Sequence, residues 1–138
     1  MSSTPFDHEK LRAYQEALHF AAWVEPIIES LPAKLSARDQ LDRASTSIVL
    51  NIAEGNGKRS HPDRCRYLDI ARGSALECAA CLDVLVVRRK LVPEDTNEGK
   101  RLLLAVVSLV AGLIAPFSGD VREDQAEYGS GLVEKENE

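Results

Sequence analysis

Apolar residues recur at helical spacing through the middle of the chain, in residues 40–60. Four of them follow one another at intervals of three or four positions: Leu41, Ala44, Ile48 and Ile52. This spacing places them on one face of a helix, which we predict to span about residues 36–54. Gly55, Asn56 and Gly57 follow directly, and we expect them to end the helix because Gly and Asn tolerate a left-handed C-cap.

Similar patterns predict three further helices, at about residues 7–30, 60–90 and 95–117. Pro26 lies inside the first pattern and should kink that helix or end it early. Ser60 is the expected N-cap of the third helix. The turns between these helices are short, which favours antiparallel neighbours. We therefore predict an all-α fold, an antiparallel up-down-up-down four-helix bundle in residues 1–117.

The fourth predicted helix is apolar on more than one face. Leu104, Val107 and Ala111 lie away from its inward-facing positions and are apolar as well. A helix of this kind is buried on more than one side, so in a small domain we predict a homo-oligomer. The uncharged run at residues 102–119 is near the lower limit of about 17–25 residues for a membrane span. It contains Pro116 and has no basic cluster with aromatic anchors beside it, so we interpret it as a bundle helix and predict no membrane contact.

Charge is distributed unevenly along the 138 residues, although the overall composition, 44% hydrophobic and 28% charged, is that of a globular protein. The net charge of −5 arises in residues 118–138, which carry seven acids and two bases. Residues 1–117 hold 15 acids and 15 bases. We predict that the acidic tail at residues 118–138 is disordered, because it has little apolar surface to bury. The low isoelectric point therefore does not exclude a nucleic-acid surface on the body.

The cysteines give no sign of a disulfide framework or a metal site. There are three, Cys65, Cys78 and Cys81, and the chain does not begin with a secretory signal. We expect a reduced, cytoplasmic setting. Cys78 and Cys81 form a C-x-x-C pair, but no second pair is present to complete a zinc site, so we interpret them as small buried thiols. No nucleophile or carboxylate has a recognisable catalytic partner. We predict a non-enzymatic protein without a cofactor or metal.

A basic segment follows the second predicted helix. Five cations lie between positions 55 and 72: Lys58, Arg59, Arg64, Arg66 and Arg72. Only Asp63 and Asp69 oppose them, which leaves a local charge of +3. Arginine forks suit phosphates, and an oligomer would repeat this basic corner in a ring. Nucleic-acid contact and a solvated basic corner balanced by the acidic tail are both compatible with this composition.

Two runs of sequence carry a resemblance to a known family. They are Asn51-Ile52-Ala53-Glu54-Gly55 and Tyr67-Leu68-Asp69-Ile70-Ala71-Arg72-Gly73-Ser74-Ala75-Leu76-Glu77. Over about residues 6–117 the chain resembles the bacterial four-helix-bundle protein family found as open reading frames in intervening sequences of large-subunit ribosomal RNA genes. It is also similar to the accessory variability protein of diversity-generating retroelements.

The resemblance implies a four-helix bundle that assembles into a ring, commonly a pentamer. The retroelement relatives bind nucleic acid and a reverse transcriptase through basic surfaces, so RNA or DNA and a reverse transcriptase are the partners that it suggests. The acidic tail at residues 118–138 departs from the family pattern. It could compete with nucleic acid for the basic corner.

The family signature also has a structural interpretation. Its residues here are Asn51, Glu54, Gly55, Gly57 and Gly73. We expect the two polar side chains to satisfy backbone groups at the corner, and the glycines to permit close backbone approach. We therefore assign nucleic-acid contact to the five cations and predict a non-enzymatic accessory or scaffold protein. The alternative is a structural or protein-interaction module, in which the apolar faces of the first and fourth helices make the contacts.

Overall fold

Four α-helices make up most of the part of the chain that the structure describes. The structure is a computed structural model, and it describes residues 5–115. The helices are α1 (Arg12–Ser30), α2 (Ser36–Asn56), α3 (His61–Val87) and α4 (Asn97–Ile114), with short 3₁₀ helices at Asp7–Lys10 and Pro93–Thr96. No strand occurs in residues 5–115. The predicted all-helical fold with four helices is confirmed, while the predicted acidic tail lies outside the described residues.

Helix α1 shows how a proline is accommodated inside a helix. Pro26 does not end α1, which continues to Ser30. A proline at this position removes the hydrogen bond to the carbonyl of Ala22, and both residues are exposed, so solvent can satisfy that carbonyl. The helix begins at Arg12, later than predicted, because residues 7–10 form a 3₁₀ helix first.

The end of α2 differs from the sequence-based expectation. The helix runs through Gly55 and Asn56, and Gly57 has φ −86° and ψ −6°, in the right-handed region. The amide of Gly57 donates to the carbonyl oxygens of Ala53 (3.3 Å) and Glu54 (3.1 Å), so the last turn closes without a left-handed residue. The predicted left-handed C-cap at this position is therefore wrong.

Helix α3 begins as predicted and ends early. The Asp63 amide donates to Ser60 Oγ (3.2 Å), which confirms Ser60 as the N-cap. The helix stops at Val87, where about residue 90 was expected. Arg89 has φ 64°, and the Lys90 amide donates to the Leu85 carbonyl (2.8 Å), the pattern of a left-handed helix stop. An arginine occupies the position that usually holds glycine, so residue preferences do not indicate this helix end.

The helices pack around one apolar cluster. Its largest fully buried side chains come from all four helices and include Phe20, Leu41, Ile48, Leu82 and Val106. On α4, Leu102, Leu103, Val106 and Val110 are buried. Among residues 5–115, no helix is both long enough and apolar enough to span a bilayer.

Helices α2 and α3 pack closely against each other along their length. Three pairs mark it: Cys81 Sγ donates to Gln40 Oε1 (3.8 Å), Ser47 Oγ lies 2.9 Å from Ser74 Oγ, and Gly55 packs on Tyr67 and Leu68. As the residue number of the contacting position increases along α2, the residue number of its partner on α3 decreases. Small residues at these crossings let the two backbones approach closely.

Two signature glycines in this pair of helices have different surroundings. A Cβ atom on Gly55 would lie 3.1 Å from Tyr67 Cβ, 3.2 Å from the Arg64 carbonyl oxygen and 3.3 Å from Leu68 Cγ. The expected close approach is therefore confirmed at Gly55. A Cβ on Gly73 would meet nothing within 4 Å, so the same expectation is wrong there within one chain. At Gly57 the nearest atoms are carbonyl oxygens of its own helix, at 3.6 and 3.8 Å, which is ordinary contact.

The contrast between these glycines gives a stability prediction. Gly55→Ala should lower the free energy of unfolding by about 1–2 kcal/mol, since the added methyl is crowded by a backbone carbonyl that cannot move cheaply. Gly73→Ala should raise it by up to about 1 kcal/mol, because alanine favours the helix and the methyl enters open space. Urea unfolding of both variants checks this. Equal stabilisation by the two substitutions would contradict the close approach at Gly55.

Candidate nucleic-acid interface

The basic corner is the junction where α2 ends, residues 57–60 turn, and α3 begins. Two hydrogen bonds hold it closed. Asn56 Nδ2 donates to Asp7 Oδ2 (2.9 Å), and Arg64 Nη1 donates to the Asn56 carbonyl oxygen (3.0 Å). A cation at this carbonyl also complements the negative end of the α2 dipole. Arg64, predicted as a nucleic-acid contact, is therefore used to close the corner.

Lys58 lies between an acid and an aromatic ring. Its Nζ is 3.1 Å from Glu54 Oε2 and 5.0 Å from the centre of the Tyr67 ring. The hydrogen bond with Glu54 raises the pKa of Lys58, with a smaller contribution from Tyr67. The ammonium group consequently stays protonated across the physiological range.

Arg66 approaches the same tyrosine. Its guanidinium carbon is 5.5 Å from the Tyr67 ring centre, and Nη2 is 3.0 Å from Asp63 Oδ1. Two cations thus lie against one half-buried ring, an arrangement that combines phosphate-binding groups with an aromatic surface. From the sequence, Tyr67 is predicted only as part of a run that carries the family resemblance, with no binding role. The signal that could have identified it is the run of residues 64–67, in which two arginines come within three positions and the tyrosine follows directly.

The other two predicted contacts lie differently. Arg59 is exposed in the turn and forms no ion pair with any residue in the described range 5–115. Arg72 is half-buried and comes five positions after Tyr67, about 140° around the helix. The structure therefore gathers Lys58, Arg59 and Arg66 around Tyr67, and leaves Arg72 on a different face of α3.

The polar signature residues make contacts that differ from those predicted. Asn51 Nδ2 donates to the carbonyl (2.9 Å) and Oγ (3.0 Å) of Ser47, within α2 rather than at the corner. This places Asn51 beside the contact between Ser47 and Ser74. The carboxylate of Glu54 pairs with the Lys58 ammonium, so the expectation that it would satisfy a backbone group is wrong.

The cysteines are distributed between the core and the corner. Cys78 and Cys81 are buried, which confirms the interpretation of this pair as buried thiols. Burial raises the pKa of Cys78 to about 12, with smaller contributions from Cys81 and Glu77. Cys65 is half-buried, and its Sγ lies 3.4 Å from His61 Nε2. Burial raises the pKa of Cys65 too, and Asp69 adds to this.

Comparison with known families matches the sequence to one family over most of the described region. Residues 9–112 match the family model of the 23S rRNA-intervening sequence proteins. The chain belongs to this family. The match includes the whole basic corner and both runs that carry the signature residues.

A solved structure supports the same fold. It is a protein of unknown function from the S23 ribosomal protein family of Bacteroides thetaiotaomicron, which superposes with a TM-score of 0.69 at 23% sequence identity. The match covers 74% of this chain and 97% of that chain. At this identity the likeness shows the fold alone. No curated protein matches the sequence.

The buried thiol gives a prediction about pH. Above about pH 9 an unfolded Cys78 loses its proton, whereas the folded chain retains it until about pH 12. Stability should therefore be unaffected below pH 9 and fall as the pH rises above it, by about 1 kcal/mol at pH 10 from this residue. Urea unfolding of the wild type and Cys78→Ala at pH 7 and pH 10 measures this.

The relevant quantity is the change in stability between the two pH values. Cys78→Ala is expected to be less stable at both, because it leaves a cavity, but to lose less between them. Lysines and tyrosines titrate in both proteins, so their contributions cancel in the difference. Identical losses in the wild type and the variant would show that Cys78 does not titrate late.

Proposed function

We propose that this protein is a non-enzymatic, nucleic-acid-associated accessory or scaffold protein that contacts phosphates through the basic corner. The observation that carries the proposal is the grouping of Lys58 and Arg66 around Tyr67, with Arg59 exposed beside them. Cations bind the sugar-phosphate backbone, and an aromatic ring among them offers a surface for a base.

The ion pairs in the corner are compatible with this role. Lys58 and Arg66 pair with Glu54 and Asp63, residues one helical turn away on exposed surface. Exposed pairs of this kind stabilise a protein by only about 0–1 kcal/mol, so exchanging a carboxylate for a phosphate costs little. The family name refers to intervening sequences of 23S rRNA, which makes RNA the first probe to use.

Assembly is the second part of the proposal. The order of the contacts between α2 and α3 supports an antiparallel up-down-up-down bundle. On α4, Leu104 is 65% exposed, Ala111 is exposed two turns further along, and the half-buried Val107 lies between them. We propose that this face joins copies into a homo-oligomeric ring, which would repeat the corner around the ring and raise its avidity for a polyanion.

A protein-interaction module is the second candidate function. Leu18 on α1 and Leu104 on α4 are large apolar side chains with 44% and 65% of their surface exposed. A protein partner such as a reverse transcriptase could cover these faces in place of a second copy. In either case we propose a cytoplasmic protein, as the reduced thiols suggested.

Neutralising the corner tests the nucleic-acid role. The triple variant Lys58→Gln, Arg59→Gln, Arg66→Gln should bind single-stranded RNA more weakly than the wild type. Its dependence of log affinity on log salt concentration should be shallower by about 2, since up to three phosphate contacts are lost. Fluorescence anisotropy of labelled RNA and DNA across a salt series measures both quantities.

The control is Lys34→Gln, Arg43→Gln, Arg101→Gln. It removes the same charge and, like the corner variant, removes two cations in ion pairs and one unpaired cation. Arg43 and Arg101 are in exposed ion pairs, and Lys34 forms none within residues 5–115. It should bind like the wild type. An equal loss of RNA affinity in the two variants would show that only the net charge matters. Absence of wild-type binding at low salt would contradict the nucleic-acid role.

Assembly is tested by placing a charge on the outer face of α4. Leu104→Glu should shift the protein from oligomer to a smaller species in sedimentation velocity at micromolar concentration. Leu50→Glu is the control, because Leu50 is similarly exposed, at 60%, but lies on α2. A wild type that sediments as a monomer, or equal dissociation by both variants, would exclude an interface at Leu104.

A further inference from the structure

A groove separates the beginning of α2 from the end of α3, at the opposite end of α3 from the basic corner. Its volume is about 330 Å³. Its apolar lining comprises Leu35, Ala37, Ala80, Val84 and Leu85. Val84 is 42% exposed and Ala80 is exposed as well, whereas Ala37 and Leu85 are buried, so the groove is open to solvent on one side. The groove is wide enough for one or two aliphatic side chains.

Cations without carboxylate partners border this groove. Arg88 and Lys90 line it, and Arg89 lies between them in the chain. None of the three forms an ion pair with another residue of the range 5–115, unlike Lys58 and Arg66 at the corner. The single carboxylate among the groove residues is Glu77. The first turn of α2 lies on the wall, so the positive end of its dipole adds to the field.

This combination selects an occupant with a short apolar segment followed by acids. Residues 132–138 of the same chain have this composition, Leu132-Val133-Glu134-Lys135-Glu136-Asn137-Glu138. We propose that residues 132–138 dock in the groove of their own chain, with Leu132 and Val133 on the apolar lining and the glutamates facing Arg88 and Lys90.

The length of the intervening chain fits this placement. Lys100 pairs with Asp83 and Gly99 packs on Trp23, so the first turn of α4 lies beside the last parts of α3 and α1. Helix α4 then leads about 21 Å away from Lys100 to Ile114. The 17 peptide steps from Ala115 to Leu132 can reach up to about 56 Å when fully extended, which exceeds this distance. The intervening chain is therefore long enough for Leu132 to reach the groove from the end of α4.

The larger number of unpaired cations, together with the apolar lining beside them, favours this groove over the basic corner as the acceptor for the acids. Of the three cations around Tyr67 at the corner only Arg59 is unpaired within the described residues, and at Lys58 and Arg66 an incoming glutamate would merely replace one carboxylate, Glu54 or Asp63, with another. At the groove no carboxylate of residues 5–115 has to be displaced, and an apolar lining for Leu132 and Val133 lies beside the cations. The docking does not depend on nucleic-acid binding, so the two proposals fail independently.

Carbodiimide cross-linking of the full chain tests the proposal, because it joins only lysines and carboxylates in contact. The described residues offer five lysines in competition: Lys10, Lys34, Lys58, Lys90 and Lys100. Peptide mass spectrometry should find Glu134 and Glu136 joined to Lys90 at least fivefold more often than to Lys58. The preference should decline as salt is added.

The matched variant is Leu132→Ser with Val133→Ser, which keeps every charge and lies outside the described fold. It should lower the yield at Lys90 about fivefold, to the level at Lys58. A preference for Lys58, an even distribution over the lysines, or an unchanged yield in the variant would each overturn docking in the groove. A mixture of ¹⁵N-labelled and unlabelled chains should give Lys90 products within single chains, and mixed products would overturn docking in the same chain.

Discussion

The close approach of α2 to α3 is the constraint on which the rest of the structure depends. It needs a glycine at position 55, where a methyl would meet the side chain of Tyr67 and the carbonyl of Arg64 within 3.1 and 3.2 Å. It also needs the small hydroxyl pair of Ser47 and Ser74, 2.9 Å apart. A larger residue at any of these crossings would separate the helices and displace the first turn of α3. Arg66 and Tyr67 follow directly after that turn, and Lys58 contacts the Tyr67 ring, so the candidate site depends on this packing.

Periodicity and capping predicted the helices well, because both depend on local sequence. The N-cap at Ser60 is an example, since its hydrogen bond to Asp63 spans only three residues. The ends that were mispredicted are set by contacts that propensity does not encode. Helix α2 continues through Gly55 because α3 packs on it there. At the end of α3 an arginine, Arg89, takes the left-handed conformation that favours glycine.

The candidate site was predictable in composition but not in arrangement. Five basic residues within a short segment are visible in sequence, but the local charge of +3 says nothing about which of them share a surface. Arg64 donates to a backbone carbonyl, and Arg72 lies about 140° around α3 from Tyr67. The aromatic ring between Lys58 and Arg66 belongs to Tyr67, which the basic composition of the segment does not single out. Membership of the family fixes the fold, and the contacts of each side chain distinguish the cations that hold it from those that face outward.

The free-energy cost of replacing a cation's present partner by a phosphate distinguishes the structural cation in this corner from the cations that can bind a ligand. Arg64 bonds the carbonyl of Asn56 at the end of α2, and breaking that bond would leave a backbone acceptor of the corner unsatisfied. Lys58 and Arg66 hold carboxylates on solvent-exposed surface, where water and counterions compete with each pair. A phosphate that replaces Glu54 or Asp63 therefore displaces a weak interaction and leaves a carboxylate that water can solvate. The same helix thus carries a cation that the fold needs and, within two residues of it, one that is available to a ligand.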